Sequence, residues 1–180
     1  MADPRELTEL ISSTEVSPAS GWVAGVSAAL AAALLVKAAG RSEGWSGARG
    51  ARAQATDLRD RLLELASQDS QAYESALEAL DRPDAGLAEA LAAAANLPLA
   101  LVEAAADVAL LAAEAAECAD GGSRADAAAA AALAAGAAHA CAKLVAVNLS
   151  TVPGDERLEA VRRAVETADD AARQALATEI

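Results

Sequence analysis

Apolar positions near the start of the chain recur with the spacing of an α-helix. Leu7, Leu10 and Ile11 form an i, i+3, i+4 stripe and predict a short opening helix. Residues 21–39 are apolar on nearly every side, which is typical of a helix buried in a core. Ser20 directly precedes this segment and is suited to cap its first turn.

Four more helices are predicted after a Gly- and Ser-rich loop at residues 40–50. They cover about residues 51–80, 85–118, 123–149 and 155–177. Pro98 removes one backbone hydrogen bond, so the helix at 85–118 should kink or split there. Six helices with short connections predict an all-α bundle, and its length of 180 residues favours a single domain over residues 1–180.

The composition supports helices and points to self-association. Hydrophobic residues make up 54% of the chain and aromatic residues only 2%, and most of the apolar fraction is alanine. Alanine has the highest helix propensity and little bulk, so it favours helices whose backbones approach closely. The helices at 21–39 and 123–149 carry more apolar surface than one shell of this length covers. A homodimer that buries further faces is therefore predicted.

Charge limits the possible partners. The chain has 27 acidic and 14 basic residues and a formal net charge of −13. This excess argues against nucleic acid, whose phosphates require clustered Lys and Arg, and against an anionic membrane surface. Residues 21–36 are shorter than the roughly 20 residues of a membrane span. We therefore expect no membrane association.

The metal-binding residue types are scarce. Cys118 and Cys141 are isolated in the sequence, and His139 is the single histidine. These residues do not form a Cys/His ligand set, so no metal site is expected. Two isolated cysteines are typical of buried thiols in a reducing compartment. A cytoplasmic location is predicted.

Three blocks, in order along the chain, resemble the cyclodeaminase/methenyltetrahydrofolate cyclohydrolase family of one-carbon folate enzymes. The blocks are residues 7–21, with Ser-Pro-Ala-Ser-Gly at 17–21 before an alanine-rich helix; residues 62–73, in which Asp69 precedes Tyr73 by four positions; and residues 96–149, with Asn-Leu-Pro-Leu at 96–99, Gly-Gly-Ser-Arg-Ala-Asp at 121–126 and Val-Asn-Leu at 147–149. Where family members have a glycine run, this chain keeps Gly21 and continues with Trp22 and Val23.

The resemblance implies a tetrahydrofolate derivative as substrate and no bound cofactor. Family members hydrolyse 5,10-methenyltetrahydrofolate, or close 5-formiminotetrahydrofolate to the methenyl form with loss of ammonia. Both reactions need a group that moves protons and donors that hold the pterin ring. Two carboxylates are candidates for the catalytic group, Asp126 as the first choice and Asp69 as the second. Each also has an ordinary structural explanation, because Asp126 is stabilised in the first turn of a helix and Asp69 can be a solvated helical charge.

The resemblance also implies a set of substrate-binding residues. Ser17, Ser20 and Gly21 precede the second helix, where free N–H groups could hold an anion such as a glutamate carboxylate. The other candidates are Ser123, the Asn148 amide and the Lys143 ammonium group.

Spacing constrains how these residues could act together. Asp126 and Asn148 are 22 residues apart on one predicted helix, so about 33 Å separates them within a chain. An antiparallel two-fold dimer could bring Asp126 of one subunit towards Asn148 of the other. Three interpretations remain open: an active folate enzyme, a catalytically degenerate relative that serves as a binding or structural subunit, and a helical interaction domain outside the family.

Overall fold

The computed structural model describes residues 3–15, 17–80, 87–150, 152 and 154–179, with side chains described except at 73–80 and 87–90. Within these residues the chain forms seven helices and no strand, which confirms the all-α prediction. The helices are α1 (Pro4–Ile11), α2 (Ser20–Gly40), α3 (Ala48–Leu80), α4 (Leu87–Ala94), α5 (Asn96–Cys118), α6 (Gly121–Asn148) and α7 (Glu156–Ala177).

The helix predicted at 85–118 is split in two. A break at Ala95 separates α4 from α5, and Pro98 is the third residue of α5. Proline is tolerated there because the first-turn N–H groups of a helix have no intrahelical partner. The chain therefore divides the helix three residues before the proline, and this accounts for seven helices rather than six.

Four helices surround the core and a fifth covers one side of it. α2 packs against α3 and α6, and α5 packs against α6 and α3. α7 lies across α5 and α6. The Lys37 ammonium group near the end of α2 contacts the Asp126 carboxylate near the start of α6, so these two helices run antiparallel.

Small side chains allow the close helix packing that the composition predicts. The largest buried cluster is mostly alanine and includes residues from α2, α3, α5, α6 and α7. Gly25 on α2 shows how close α2 and α3 are. A Cβ atom at this position would lie 2.8 Å from the Cβ atom of Ala66 on α3.

The first helix is an exception to this packing. α1 buries none of its residues, and Leu7, Leu10 and Ile11 remain exposed. Among the described helices, α1 contacts none of the others through its backbone. Its apolar stripe has the period that the sequence predicts, but the described residues of the chain leave it exposed.

Two helices have the length and apolar character of a membrane span. They are α2 and α6, and about half of each is buried within the bundle, 50% and 44% of the most apolar window. The core helix of a soluble protein passes the same test. The absence of membrane association stays a prediction.

Candidate functional site

A buried carboxylate lies beside the first turn of α2. Asp69 on α3 is only 9% exposed, and it faces Gly21, the second residue of α2. A Cβ atom at Gly21 would lie 1.9 Å from Oδ2 of Asp69. Glycine at this position leaves room for the carboxylate, and a larger residue would force Asp69 or the helix to shift.

The surroundings of Asp69 favour its neutral form. Burial raises the pKa of the Asp69 carboxyl group above its ordinary value of 3.8. In the part of the chain that the structure describes, no hydrogen bond or ion pair to this carboxylate is present. The adjacent Ser70 hydroxyl oxygen is also buried with no hydrogen-bond partner among the described residues. Buried polar atoms are usually paired, so these two side chains leave hydrogen-bonding capacity for a ligand.

Cys141 on α6 lies near the same carboxylate. Burial, together with the charge of Asp69, raises the pKa of the Cys141 thiol to about 12. The thiol is therefore protonated at neutral pH and is not a nucleophile. Asp69 on α3 therefore lies near residues of both α2 and α6.

The start of α2 leaves backbone donors without a side-chain cap. Ala19 rather than Ser20 occupies the N-cap position, and no side chain there accepts a hydrogen bond from the helix. The predicted cap at Ser20 is therefore wrong by one residue, because Ser20 is already helical and its side chain is exposed. Ser17 precedes the cis peptide bond to Pro18. The first N–H groups of α2 remain available to an anion.

Two of the predicted residues lie towards the end of α6 that runs alongside this turn. Asn148 is the last residue of α6, and it follows Cys141 by seven positions, which places both on one stripe of the helix. Lys143 lies on the opposite, exposed side of α6. Asn148 thus shares the inner side of α6 with Cys141, and Lys143 does not.

Two other predicted residues lie at the far end of α6. The Asp126 carboxylate forms an ion pair with the Lys37 ammonium group at 2.7 Å, and both side chains are partly exposed. About 22 Å of helix separates Asp126 from Cys141, and Ser123 is buried still further away. One chain therefore does not bring Asp126 and Asp69 to the same ligand.

A groove of about 650 Å³ runs between α2 and α6 on the other side of α2 from Asp69. Its lining includes Ile11, Ser20, Val23, Leu133 and Gly136, and it is almost entirely apolar. The hydroxyl group of Ser27, also in the lining, donates to a backbone carbonyl of α2. A pterin ring presents several polar atoms, and this lining offers few partners for them. Trp22 does not line the groove.

The groove was not among the sequence predictions. The signal that could have found it is the run of small residues on α6, at positions 132, 136 and 140, one helical turn apart. Among the described residues, no cluster of three His, Cys, Asp or Glu side chains that could hold a metal ion is present.

Known proteins similar to this chain identify its family and its fold. The family described as formiminotransferase-cyclodeaminase matches residues 4–167 of the chain. This protein belongs to that family. The crystal structure of formiminotetrahydrofolate cyclodeaminase from Thermotoga maritima superposes with a TM-score of 0.88, at 20% sequence identity, over 97% of this chain and 93% of that one. At this identity the likeness establishes a shared fold. A search of curated proteins finds no match.

The three sequence blocks that resemble the formiminotransferase-cyclodeaminase family lie on α1, α2, α3, α5 and α6. The first block forms the start of α2, and the second carries the Asp69 carboxylate that fits against it. The third block begins at the start of α5 and continues through both ends of α6. The start of α2, with Asp69 beside it, is therefore the candidate site within one chain.

Proposed function

We propose that this chain acts on the one-carbon unit of a tetrahydrofolate derivative, as a cyclodeaminase or a cyclohydrolase. The observation that carries the proposal is the buried, unpaired Asp69 carboxyl group beside the uncapped start of α2. Membership of the formiminotransferase-cyclodeaminase family supplies the ligand class.

The chemistry requires a group that gains and loses a proton. In ring closure, N10 of the folate attacks the formimino carbon, and the tetrahedral carbon then expels ammonia, which carries away a proton. In hydrolysis, water adds to the methenyl carbon, loses a proton, and the ring opens at one of the two C–N bonds. A carboxyl group whose pKa is raised by burial exchanges protons closer to neutral pH, and Asp69 has this property.

The ligand would be held at the start of α2. Free N–H groups there favour an anion, and the hydroxyl groups of Ser17 and Ser20 are near them in the chain. The Asn148 amide, on the inner side of α6, can donate to a pterin carbonyl. This arrangement uses the chain's own polar groups and requires neither a metal nor a covalent nucleophile.

Asp126 has a different place in this proposal. It is part of an ion pair at the far end of α6, so it can reach a ligand near Asp69 only from a second subunit. For this reason we include a homodimer in the proposal. We also include a cytoplasmic location, because two isolated cysteines are typical of a reducing compartment.

Two matched variants test the assignment. Asp69→Asn keeps the shape of the side chain and removes proton exchange, so we expect turnover to fall by at least about 100-fold. Asp60→Asn, an identical chemical change at an exposed carboxylate of the same helix, is expected to leave turnover within a few-fold of the native rate. Turnover by both variants is followed through the near-ultraviolet absorbance of 5,10-methenyltetrahydrofolate. This absorbance is lost when the compound is hydrolysed and gained when it forms from 5-formiminotetrahydrofolate. Full activity of Asp69→Asn would refute the assignment.

A second candidate function is a catalytically degenerate relative that serves as a helical binding or structural subunit. The observation that favours it is the replacement of the family's glycine run by Trp22 and Val23. Equilibrium dialysis against the two folates distinguishes the candidates. If the native chain neither binds nor turns over either folate, the degenerate relative is supported and the enzyme is excluded.

A further inference from the structure

One large side chain at the start of α2 does not belong to the packed core. Trp22 directly follows Gly21, and its side chain is half-buried. Within the described residues, neither buried cluster includes this indole among the side chains that pack against it. The other tryptophan of the chain, Trp45, is 8% exposed and belongs to the larger cluster. Indoles usually contribute a large apolar area to a core, so the position of Trp22 requires another explanation.

Helix geometry places the Trp22 indole beside the Asp69 carboxylate. Gly21 faces Asp69 on α3, and Val23 lines the groove between α2 and α6. Successive residues of a helix are turned by about 100°, so Trp22 lies between these two directions, on the outer side of α2. Its Cα atom is about 3.8 Å from that of Gly21, whose built Cβ atom would lie 1.9 Å from the carboxylate. The indole therefore lies at the outer edge of the space beside Asp69.

The chemistry of an indole suits the ligand of the proposed function. Aromatic residues make up only 2% of the chain, and Trp22 occupies a position where family members have glycine. A glycine lets a ligand touch the backbone, whereas an indole presents a flat π face on which other flat rings can stack. The one-carbon unit of 5,10-methenyltetrahydrofolate is a cation, and the face of an indole attracts cations more strongly than that of any other side chain.

We propose that Trp22 is a ligand-binding residue on whose indole face the rings of the tetrahydrofolate stack, with the one-carbon unit directed towards Asp69. The inference rests on the proposed function for the identity of the ligand. It assigns a contact that the resemblance to the family does not imply, because family members lack this side chain. The indole contributes binding and Asp69 exchanges the proton, so the effects of the two residues are separable.

The degenerate relative makes the opposite prediction for the same residue. If the indole blocks the ligand, Trp22→Gly, which restores the residue of the family, should strengthen folate binding. If the rings stack on the indole, Trp22→Gly should weaken folate binding as much as Trp22→Ala does.

Equilibrium dialysis and steady-state kinetics of the full chain with 5,10-methenyltetrahydrofolate test the inference. Loss of a stacked aromatic side chain weakens binding by roughly 5- to 150-fold, so Trp22→Ala should raise the Kd within this range. Trp22→Phe, which keeps a smaller ring, should raise it less. The KM should rise in parallel, and kcat should stay within a few-fold because Asp69 is unchanged. Leu63→Ala is the matched control, since Leu63 is a 45% exposed apolar residue on another side of α3 from Asp69, and its Kd should be native.

Tryptophan fluorescence reports the contact without turnover. A folate ring stacked on the indole should quench the emission of Trp22. Trp45 lies beyond the far end of α2, and about 27 Å of helix separates Trp22 from that end. Trp45→Phe should therefore keep most of the quenching, and Trp22→Phe, in which Trp45 is the remaining tryptophan, should lose most of it.

Thermal unfolding separates a binding role from a packing role. Because the core does not use the indole of Trp22, Trp22→Ala should change the unfolding midpoint much less than Trp45→Ala, which removes a buried indole. Three results would each overturn the inference: an equal loss of stability in these two variants, native folate binding by Trp22→Ala, or tighter folate binding by Trp22→Gly.

Failure of this contact and failure of the proposed function give different results. A native chain that binds the folate without turnover, and loses binding in Trp22→Ala, refutes the proposed function and supports the contact. A native chain that turns the folate over with the same KM as Trp22→Ala refutes the contact and supports the proposed function. A native chain that neither binds nor turns over the folate overturns both.

Discussion

Replacement of Gly21 by alanine tests the fit between α2 and the buried carboxylate. The new Cβ atom would lie 1.9 Å from Oδ2 and 2.7 Å from Cγ of Asp69. Ordinary van der Waals contact begins near 3.4 Å, so about 1.5 Å of movement is needed to relieve the overlap. Asp69 is buried against α2, so the overlap must be relieved by a turn of its carboxylate or a shift of the helix.

The cost follows from two opposing effects. Overpacking of this kind in a packed interior costs about 1–3 kcal/mol. Alanine has a higher helix propensity than glycine by at most about 1 kcal/mol, and less in the first turn, where Gly21 lies. The net destabilisation should be about 1–2 kcal/mol. For a chain of this size it lowers the midpoint of thermal unfolding by roughly 2–8 °C.

Thermal unfolding followed by circular dichroism measures this effect. Gly50→Ala is the control, because Gly50 lies in the first turn of α3 with open space around it and should gain stability slightly. Gly21→Ala combined with Asp69→Ala should recover most of the loss, since the second change removes the overlapping atoms. Native-like stability of Gly21→Ala alone would show that the carboxylate does not occupy this space.

Two predictions concern pH. Burial raises the pKa of Asp69 in the folded chain, so ionisation of this carboxyl group costs more in the folded state than in the unfolded state. The free energy of unfolding should therefore fall as the pH rises from about 4 through the raised pKa, and then level off. Asp69→Asn should remove this fall. Asp155 behaves oppositely: hydrogen bonds from Arg157 lower its pKa from 3.8 to about 2. Its contribution is present above about pH 4 and is lost as the pH falls towards 2, and Asp155→Asn should abolish that loss. Unfolding midpoints of each variant and of the native protein across the pH range check both predictions. If the difference between the two midpoints does not change with pH, the prediction for that residue is contradicted.

Helix positions followed from local patterns because the information lies within a few residues. The period of apolar positions predicted α1, α2, α3 and α7 to within a few residues, and Pro98 marked the division between α4 and α5. The N-cap of α2 was displaced by one residue because Ala19, not Ser20, has the extended backbone conformation of a cap. Residues 81–86, which include the predicted stop after α3, lie outside the described residues.

The site depended on contacts that the local sequence does not encode. Asp69 follows Gly21 by 48 positions, and only the packing of α2 against α3 shows that the carboxylate needs the glycine. A charged residue on a long amphipathic helix is usually solvated, so the sequence ranked Asp69 below Asp126. Both Asp126 and Asp69 stay candidates for catalysis, and the burial of Asp69 changes which of them we propose for a site within one chain.

The three glycines Gly21, Gly25 and Gly136 show how the same residue type carries different information once the fold is known. Gly21 makes room for a carboxylate, and Gly25 makes room for the side chains of Ala66 on α3 and Leu101 on α5. No described atom lies within 4 Å of the position that a Cβ atom of Gly136 would take, although this glycine lies in an otherwise alanine-rich helix. Since alanine would leave the described contacts of α6 unchanged and is the better helix former, Gly136→Ala should stabilise the chain by up to about 1 kcal/mol, whereas Gly21→Ala should destabilise it.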